Sequence, residues 1–535
     1  MLSLRLQNNT FLDLVSALVV TSLILLLASV IYNVVFHPLA HVPGPFWARA
    51  TGFLSWYHAK SGRRHIWLLE QFRIYGSKIR VEPNTVLFCH PDAYRDIYSM
   101  RSNVRRSQFY TAWKRDEFDD MTLNTVDVAQ HAQKRKKLNL CFTDASLSAA
   151  CDFMVRHVDR WLELIAEELN GNSREWSAPV DFSEKVDKLV FDVLGDLCFG
   201  KSFDVKEPGK NVLKEVPRCI TEYMLFYYPF CRSPFVTVLN WLKPRGLDRL
   251  FALFAPPTIR VYDKFVYDSV TDRIALHKAE AQKPERERRH DIFYFLCEAR
   301  DPVTNKPAYD ERELRAEANL LIIAGSDTTA VTLSGIFFYL TGNPQKCDKL
   351  AQEILTSFAS VDDIVYGPKL LSCTYLKACI DEGMRLTPGG PCELPREVLP
   401  GGLTVMGDYY PPGTIVGTAP WTNSRNRDVY GDDAEVFRPE RWIADDANSK
   451  EEVARLRHGF HPFSSGPLGC IGQKVAMAEM MITIARTLYC LEVRRAPGST
   501  LGCALPDKDQ FDVVDAYISL CKGPEVQFRK RRGVA

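Results

Sequence analysis

The chain has 535 residues, 46% of them hydrophobic and 25% charged, with a formal net charge of +1. That is material for a large buried core, and it excludes a disordered chain, a disulfide-stapled mini-fold and a protein whose overall charge would recruit nucleic acid. The fifteen cysteines are odd in number, run from Cys89 to Cys521 without C-x-x-C pairs, and read as reduced, cytosol-facing thiols.

Residues 1–13 form a short N-terminal segment before an uncharged, largely apolar run, Leu14 to Phe36. At about 1.5 Å per residue the run spans a hydrocarbon core of about 30 Å and is read as a transmembrane anchor. It exceeds the roughly 7–15 apolar residues of a signal peptide, so retention is expected. Arg49, Lys60, Arg63 and Arg64 follow it, against Arg5 with Asp13 before it, which puts the body of the chain in the cytosol. Residues 37–45, from His37-Pro38-Leu39 to Pro43-Gly44-Pro45, read as a stiff non-helical hinge, because each proline fixes φ and disfavours helix in its predecessor.

In the body, 46–535, Arg80 to Phe88 reads as two short strands around a turn, and another strand pair is expected near Gly402 to Val416. Phe109, Tyr110 and Trp113, then Phe226 to Phe230, are aromatic clusters for a cavity or an ordinary core. His131 and Arg135, four apart, share one helix face, with Lys134, Lys136 and Lys137 beside them as a basic patch. Asp181 to Phe199 spaces Phe182, Val186, Leu189, Val190, Val193, Leu194 and Leu197 along one face of a scaffold helix. Lys283 to Arg289 reads as an exposed basic loop. A long helical pattern, Glu311 to Leu340, is interrupted by Ala324-Gly325-Ser326-Asp327-Thr328-Thr329. Its small residues leave room for a ligand, while threonine and aspartate compete for backbone hydrogen bonds and can open the helix. Glu382 and Arg385 lie three apart on one helix face. Helices dominate and strands are few, which gives an α+β body with a small β-rich lobe.

Near the end of the chain, Phe463 to Gly472 sets Cys470 in a glycine-rich loop that runs into a helical pattern from Gln473. A thiolate there gains the positive end of the helix and free backbone N–H groups, which an axial iron ligand needs. Gly466 and Gly469 let the loop fold tightly beneath a flat macrocycle, and Gly472 lets its backbone approach closely.

This loop resembles that of the cytochrome P-450 superfamily, F-x-x-G-x-R-x-C-x-G, with Phe463, Gly466, Cys470 and Gly472 in place and Leu468 where the family usually has a propionate-pairing arginine. Ala324 to Thr329 resembles the family's A-G-x-D-T-T signature, Glu382-Gly383-Met384-Arg385 its E-x-x-R, and Pro439-Glu440-Arg441 its P-E-R segment. The prolines of 37–45 are similar to the hinge of membrane-bound fungal members. The resemblance covers nearly the whole chain. It implies a mainly α P-450 fold, with one large helical domain and a small β-rich lobe, behind the N-terminal transmembrane helix.

The same resemblance implies haem b as cofactor, Cys470 as its metal ligand, and Phe463, Gly466 and Gly472 shaping the loop. His131, Arg135 and Arg396 would bind propionates and cover for Leu468, and Asp327 with Thr328 would deliver protons. A Glu382–Arg385–Arg441 network would be structural. The implied activity is a monooxygenase of the endoplasmic reticulum membrane that acts on a lipophilic small molecule, as a tailoring step in fungal secondary metabolism. Its electrons would come through a separate NADPH-cytochrome P-450 reductase, since no flavin or nicotinamide domain follows. Lys134, Lys136 and Lys137 would be a docking surface for that donor. The rivals are a haem-thiolate isomerase or dehydratase needing no electrons, which the intact Ala324–Thr329 signature opposes, and a non-catalytic haem carrier, which Leu468 favours.

Overall fold

Helix α1 (Leu2–Ile31) continues as one π-helical segment, Tyr32–Phe36. The structure, a computed structural model, describes residues 2–115, 119–169, 175–300, 305–446 and 448–531. The apolar stretch Asp13–Phe36 has a mean hydropathy of 2.7 and none of it is buried, so its side chains need an apolar surrounding that the body does not give. The C-terminal end of this stretch and the residues just after it are pinned to the body. Arg49 donates to the carbonyls of Val34 and Ala40 at 3.1 and 3.0 Å, and buried Arg80 donates to that of Asn33 at 2.8 Å.

The β-rich lobe is a five-stranded sheet of β1 (Lys78–Glu82), β2 (Thr85–Phe88), β3 (Val104–Arg106), β4 (Arg396–Val398) and β5 (Ile415–Thr418), in the order β1-β2-β5-β4-β3. β1 and β2 form the hairpin expected from the sequence. In the second expected region, Leu403–Val405 pairs with Asp408–Tyr410 across Met406 and Gly407, both at positive φ, as a tight hairpin requires. β3 has no apolar alternation and was not expected. Its register sets Arg106 opposite Arg396.

Five helices position the site. They are α2 (Val128–Asn139), α3 (Phe182–Phe199), α4 (Val216–Cys231), α5 (Pro257–Glu280) and α6 (Glu311–Gly342). α6 starts at a capping box of Asp310 and Glu313, and most of its residues between Leu314 and Thr341 are buried, so this apolar helix is core and not a second membrane span. The expected stripe of α3 is buried except for half-buried Leu194, which packs on Gly325 of α6. α7 (Thr374–Leu386) crosses α6 so closely that a Cβ on Gly383 would stand 2.2 Å from Ile336 Cγ1. α8 (Gln473–Cys490) begins where the sequence put it, and a hairpin of β6 (Val514–Ala516) and β7 (Ile518–Leu520) follows.

Candidate active site

The buried run of α6 is broken at one place, where Ala324 is exposed and Gly325 and Thr328 are half-buried. Thr328 Oγ1 donates to the Ala324 carbonyl and Thr332 Oγ1 to the Thr328 carbonyl, both at 2.7 Å, back-bonds of the kind that bend a helix. A Cβ on Gly389 would lie 3.4 Å from Thr328 Cβ, so the Pro388-Gly389-Gly390 segment lies directly against that hydroxyl-bearing turn. Asp327 is 8% exposed and its Oδ2 has no protein partner. Burial pushes its carboxyl up to about 7, against a bond from Ser326, so it can both give and take a proton near neutrality.

The cysteine loop is built by backbone. Cys470 N donates to the Phe463 carbonyl at 2.8 Å and Gly469 N to that of Gly466 at 3.1 Å. Gly466 has φ +68, and a Cβ there would stand 2.1 Å from the Tyr98 carbonyl oxygen, so only glycine lets the loop pass. Among the fifteen cysteines Cys470 alone is exposed. Burial nonetheless pushes its thiol up, opposed by the Gly472 N–H, Arg135 and the Gln473 N–H. The sulfur lies deep among protein atoms with an open surface, and so faces an interior cleft and not bulk water.

Four cationic or polar side chains gather beside that cleft. On α2, His131 is 5% exposed with Nε2 unpartnered, and Arg135 donates to the Gly469 carbonyl at 2.7 Å. On β4, buried Arg396 donates to Tyr110 Oη at 3.1 Å. The fourth, Arg106 of β3, is buried with Nε unpartnered and donates through Nη1 to the Thr122 carbonyl at 2.6 Å. Burial, with Arg396 and Arg135, lowers the Arg106 guanidinium to about 10. Burial, with Arg106, Arg135 and Arg396, holds His131 down at about 3. Among the described residues, none of these three arginines makes an ion pair. Buried like charges without a counter-charge are costly, so the cluster is built for an anion. Two carboxylates of a flat macrocycle ligated by the nearby sulfur fit that need.

Sequence reasoning missed Arg106. Its one signal is that Arg105 and Arg106 stand just before the aromatic cluster. Leu468 is half-buried and brings no charge, and the Arg135 bond to the next residue, Gly469, ties α2 to the loop at that point.

The family model described as cytochrome P450 matches residues 43–502, which span both the α6 opening and the cysteine loop. The chain belongs to the cytochrome P450 family. It is 32% identical over 508 residues to the cytochrome P450 monooxygenase poxM of Penicillium oxalicum, covering 94% of this chain and 92% of that one. Over 522 residues it is 31% identical to the cytochrome P450 monooxygenase apf7 of Gibberella fujikuroi, at 94% and 95% coverage. The atnE monooxygenase of Emericella nidulans is 29% identical over 510 residues, at 93% of each chain. This P450 is therefore an oxidoreductase of the monooxygenase class, and the cofactor of its family is haem.

Four side-chain groups of this P450 refine the sequence reading. Glu382, Arg385 and Arg441 are all fully buried, with Arg385 Nε and Nη2 donating to Glu382 at 2.8 Å and Arg441 Nε at 3.0 Å. The basic patch is smaller than its sequence suggests. Lys134 pairs with Asp120 at 2.7 Å and Lys137 with Glu313 at 3.2 Å, which leaves Lys136 as the exposed lysine of the three. In α4 it is Tyr223, Tyr227 and Tyr228 that are buried, while Phe226 and Phe230 stay half-exposed, because the inward stripe follows the helical repeat. Tyr228 meets Phe109, and Tyr223 and Tyr227 meet Trp113, so the first aromatic cluster packs against α4. The run 283–289 is mostly exposed, but Arg289 pairs with Asp196 and Asp291.

Proposed function

We propose that this P450 inserts one atom of dioxygen into a lipophilic small molecule, as a tailoring step in fungal secondary metabolism, with electrons from NADPH through a separate cytochrome P450 reductase. The observation that carries this reading is an open thiol, Cys470, a cluster of Arg106, Arg135 and Arg396 that has no carboxylate partner among the described residues, and an opened turn of α6 bearing Asp327 and Thr328. The names of its fungal relatives support it. In this proposal residues 14–36 anchor the chain in the endoplasmic reticulum membrane, 37–45 form the hinge, and 46–535 form the catalytic domain on the cytosolic side. Exposed Phe46, Trp47, Phe53, Phe235 and Trp241, with Phe53 and Phe235 in ring contact at 5.7 Å, fit a body that rests against the lipid next to its anchor.

Haem b bound through the Cys470 sulfur supplies the oxygen-activating chemistry. The N–H groups of Gly472 and Gln473, with Arg135, would favour the thiolate against the burial that opposes it once the iron is bound, and Phe463 and Gly466 shape the loop that presents it. Arg106, Arg135, Arg396 and His131 bind the propionates. Gly389 and Gly390 close one side against water, Asp327 Oδ2 gives up protons, and the Thr328 hydroxyl passes them on.

Two variants test this. Thr328→Ala diverts reducing equivalents into hydrogen peroxide instead of product, read as peroxide formed per NADPH consumed, and unchanged tight coupling removes Thr328 from the proton path. Arg106→Ala removes one charge-assisted contact worth on the order of 1.5–3 kcal/mol, roughly a 10- to 100-fold effect. Haem transfer to apomyoglobin then speeds up by about that factor, and a wild-type rate takes Arg106 out of the propionate site.

A further inference from the structure

α3 and α6 pack antiparallel. Phe182 meets Phe337 with ring centroids 4.4 Å apart, and at the other end a Cβ on Gly325 would stand 2.9 Å from Leu194 Cδ1. Asp187 lies two helical turns before Leu194 and so on the same face of α3, which this register sets opposite Thr332. Thr332 is little more than one turn beyond Asp327 and Thr328, and its hydroxyl bonds the Thr328 carbonyl at 2.7 Å. Asp187 is half-buried, whereas Asp327 Oδ2 is enclosed and unpartnered. The seam thus holds one carboxyl near solvent and one at the reaction site.

We propose that Asp187 feeds protons to Asp327, so that the proton supply of this P450 enters through the seam between α3 and α6. The proposal rests on the reading of Asp327 as the inner proton donor. In the step, the O–H bond of the Asp187 carboxylic acid breaks and an O–H bond forms at Asp327 Oδ2. Asp187 is left as the carboxylate until solvent returns its proton, and no electrons move.

The charges around the seam favour such sharing. Besides Asp327, the groups that act most on Asp187 are Asp181, the N-cap of its helix, and Glu184 and Lys188 on that helix, with Lys188 the cation among them. Cys521, just after β7, bonds Ser334 of α6 and is held neutral by burial, Asp187, Asp181 and Asp327, and Tyr262 of α5 is held neutral by burial with Asp263, Asp119 and Asp327. Burial first, then the nearness of Asp327, pushes the Asp187 carboxyl well up. An ionised Asp327 opposes ionisation of Asp187, so the two acids resist carrying charge together. Asp187 touches no reacting atom and is a positioning residue that works through Asp327.

The test uses the full-length, haem-loaded protein and two readouts. In the first, the infrared carboxyl absorption is titrated in wild type and in Asp327→Asn. The variant lacks the anion that holds the Asp187 proton, so Asp187 ionises at lower pH, and an unchanged midpoint overturns the proposal. In the second, Asp187→Asn raises peroxide per NADPH severalfold and increases the solvent deuterium isotope effect on turnover, while Asp187→Glu restores both towards wild type. If Asp327→Asn uncouples but Asp187→Asn behaves as wild type, the relay fails alone. If Asp327→Asn itself stays coupled, the reading of Asp327 fails and takes the relay with it.

Discussion

Cys470→Ser abolishes the reduced-CO absorption of a thiolate-ligated haem, and monooxygenase turnover with it. A serine hydroxyl does not ionise near neutrality, whereas a thiol can be drawn to the thiolate by local donors. In this chain those donors are the Gly472 and Gln473 N–H groups and Arg135, set against a burial that works the other way. The balance between them fixes the sulfur as anion only when a cation sits on it. The variant still folds, because the loop is held by main-chain bonds from Cys470 N to the Phe463 carbonyl and from Gly469 N to that of Gly466, which serine keeps. The side chain is open to the cleft, and serine is close to it in size. The thermal midpoint of the haem-free protein therefore stays as in wild type while the spectrum is lost. Cys503→Ser, a half-buried cysteine outside the loop, is the control that keeps both. A retained reduced-CO band in Cys470→Ser refutes the ligand assignment.

The residues read most easily from the sequence are those whose neighbours along the chain define them. Cys470 has its glycines, Asp327 and Thr328 their place in an apolar helix, and the α3 stripe its periodicity, and the structure keeps all of these together. Arg106 was illegible because its role comes from a β-ladder partner, Arg396, almost three hundred residues away, and from an unpaired Nε that only burial makes significant. The lysines after His131 were misread for the converse reason. A run of like charges looks free in sequence, but Lys134 and Lys137 meet Asp120 and Glu313 from other elements. In α4 the segment Phe226 to Phe230 divides, because the helix turns Tyr227 and Tyr228 inward and leaves Phe226 and Phe230 half-exposed. Tertiary partners, more than residue type, decide which polar groups are available for function.

Glu382→Ala lowers the stability of this P450 by about 3–5 kcal/mol, the usual cost of breaking a buried ion network by removing one partner. That is a large share of a typical total of about 5–15 kcal/mol, so little holoprotein accumulates in cells. Glu382 is fully buried and accepts from Arg385 Nε and Nη2, Arg441 Nε, Arg438 N at 2.8 Å and Trp442 Nε1 at 2.9 Å. Its loss leaves two enclosed guanidiniums, Arg385 and Arg441, without the Glu382 carboxylate, although Arg441 keeps Asp433 at 3.3 Å and both keep carbonyl acceptors such as those of Ala434 and Tyr430. Burial alone would raise the Glu382 carboxyl, but Arg385 and then Arg441 outweigh it and hold it below its ordinary 4.5. A carboxyl depressed on folding stabilises above its unfolded value, and that contribution drains away as pH falls through the folded one. Urea melts at pH 7 therefore separate wild type from Glu382→Gln by more than melts in acid below the depressed folded value, where the carboxyl is protonated in both states. The deficit is the same with and without haem if the network is purely structural, since among the described residues none of its members hydrogen-bonds to Arg106, Arg135 or Arg396. A Glu382→Ala protein that melts within about 1 kcal/mol of wild type would show that the two arginines find full compensation in their carbonyl partners, and that the carboxylate at the centre of the network is dispensable.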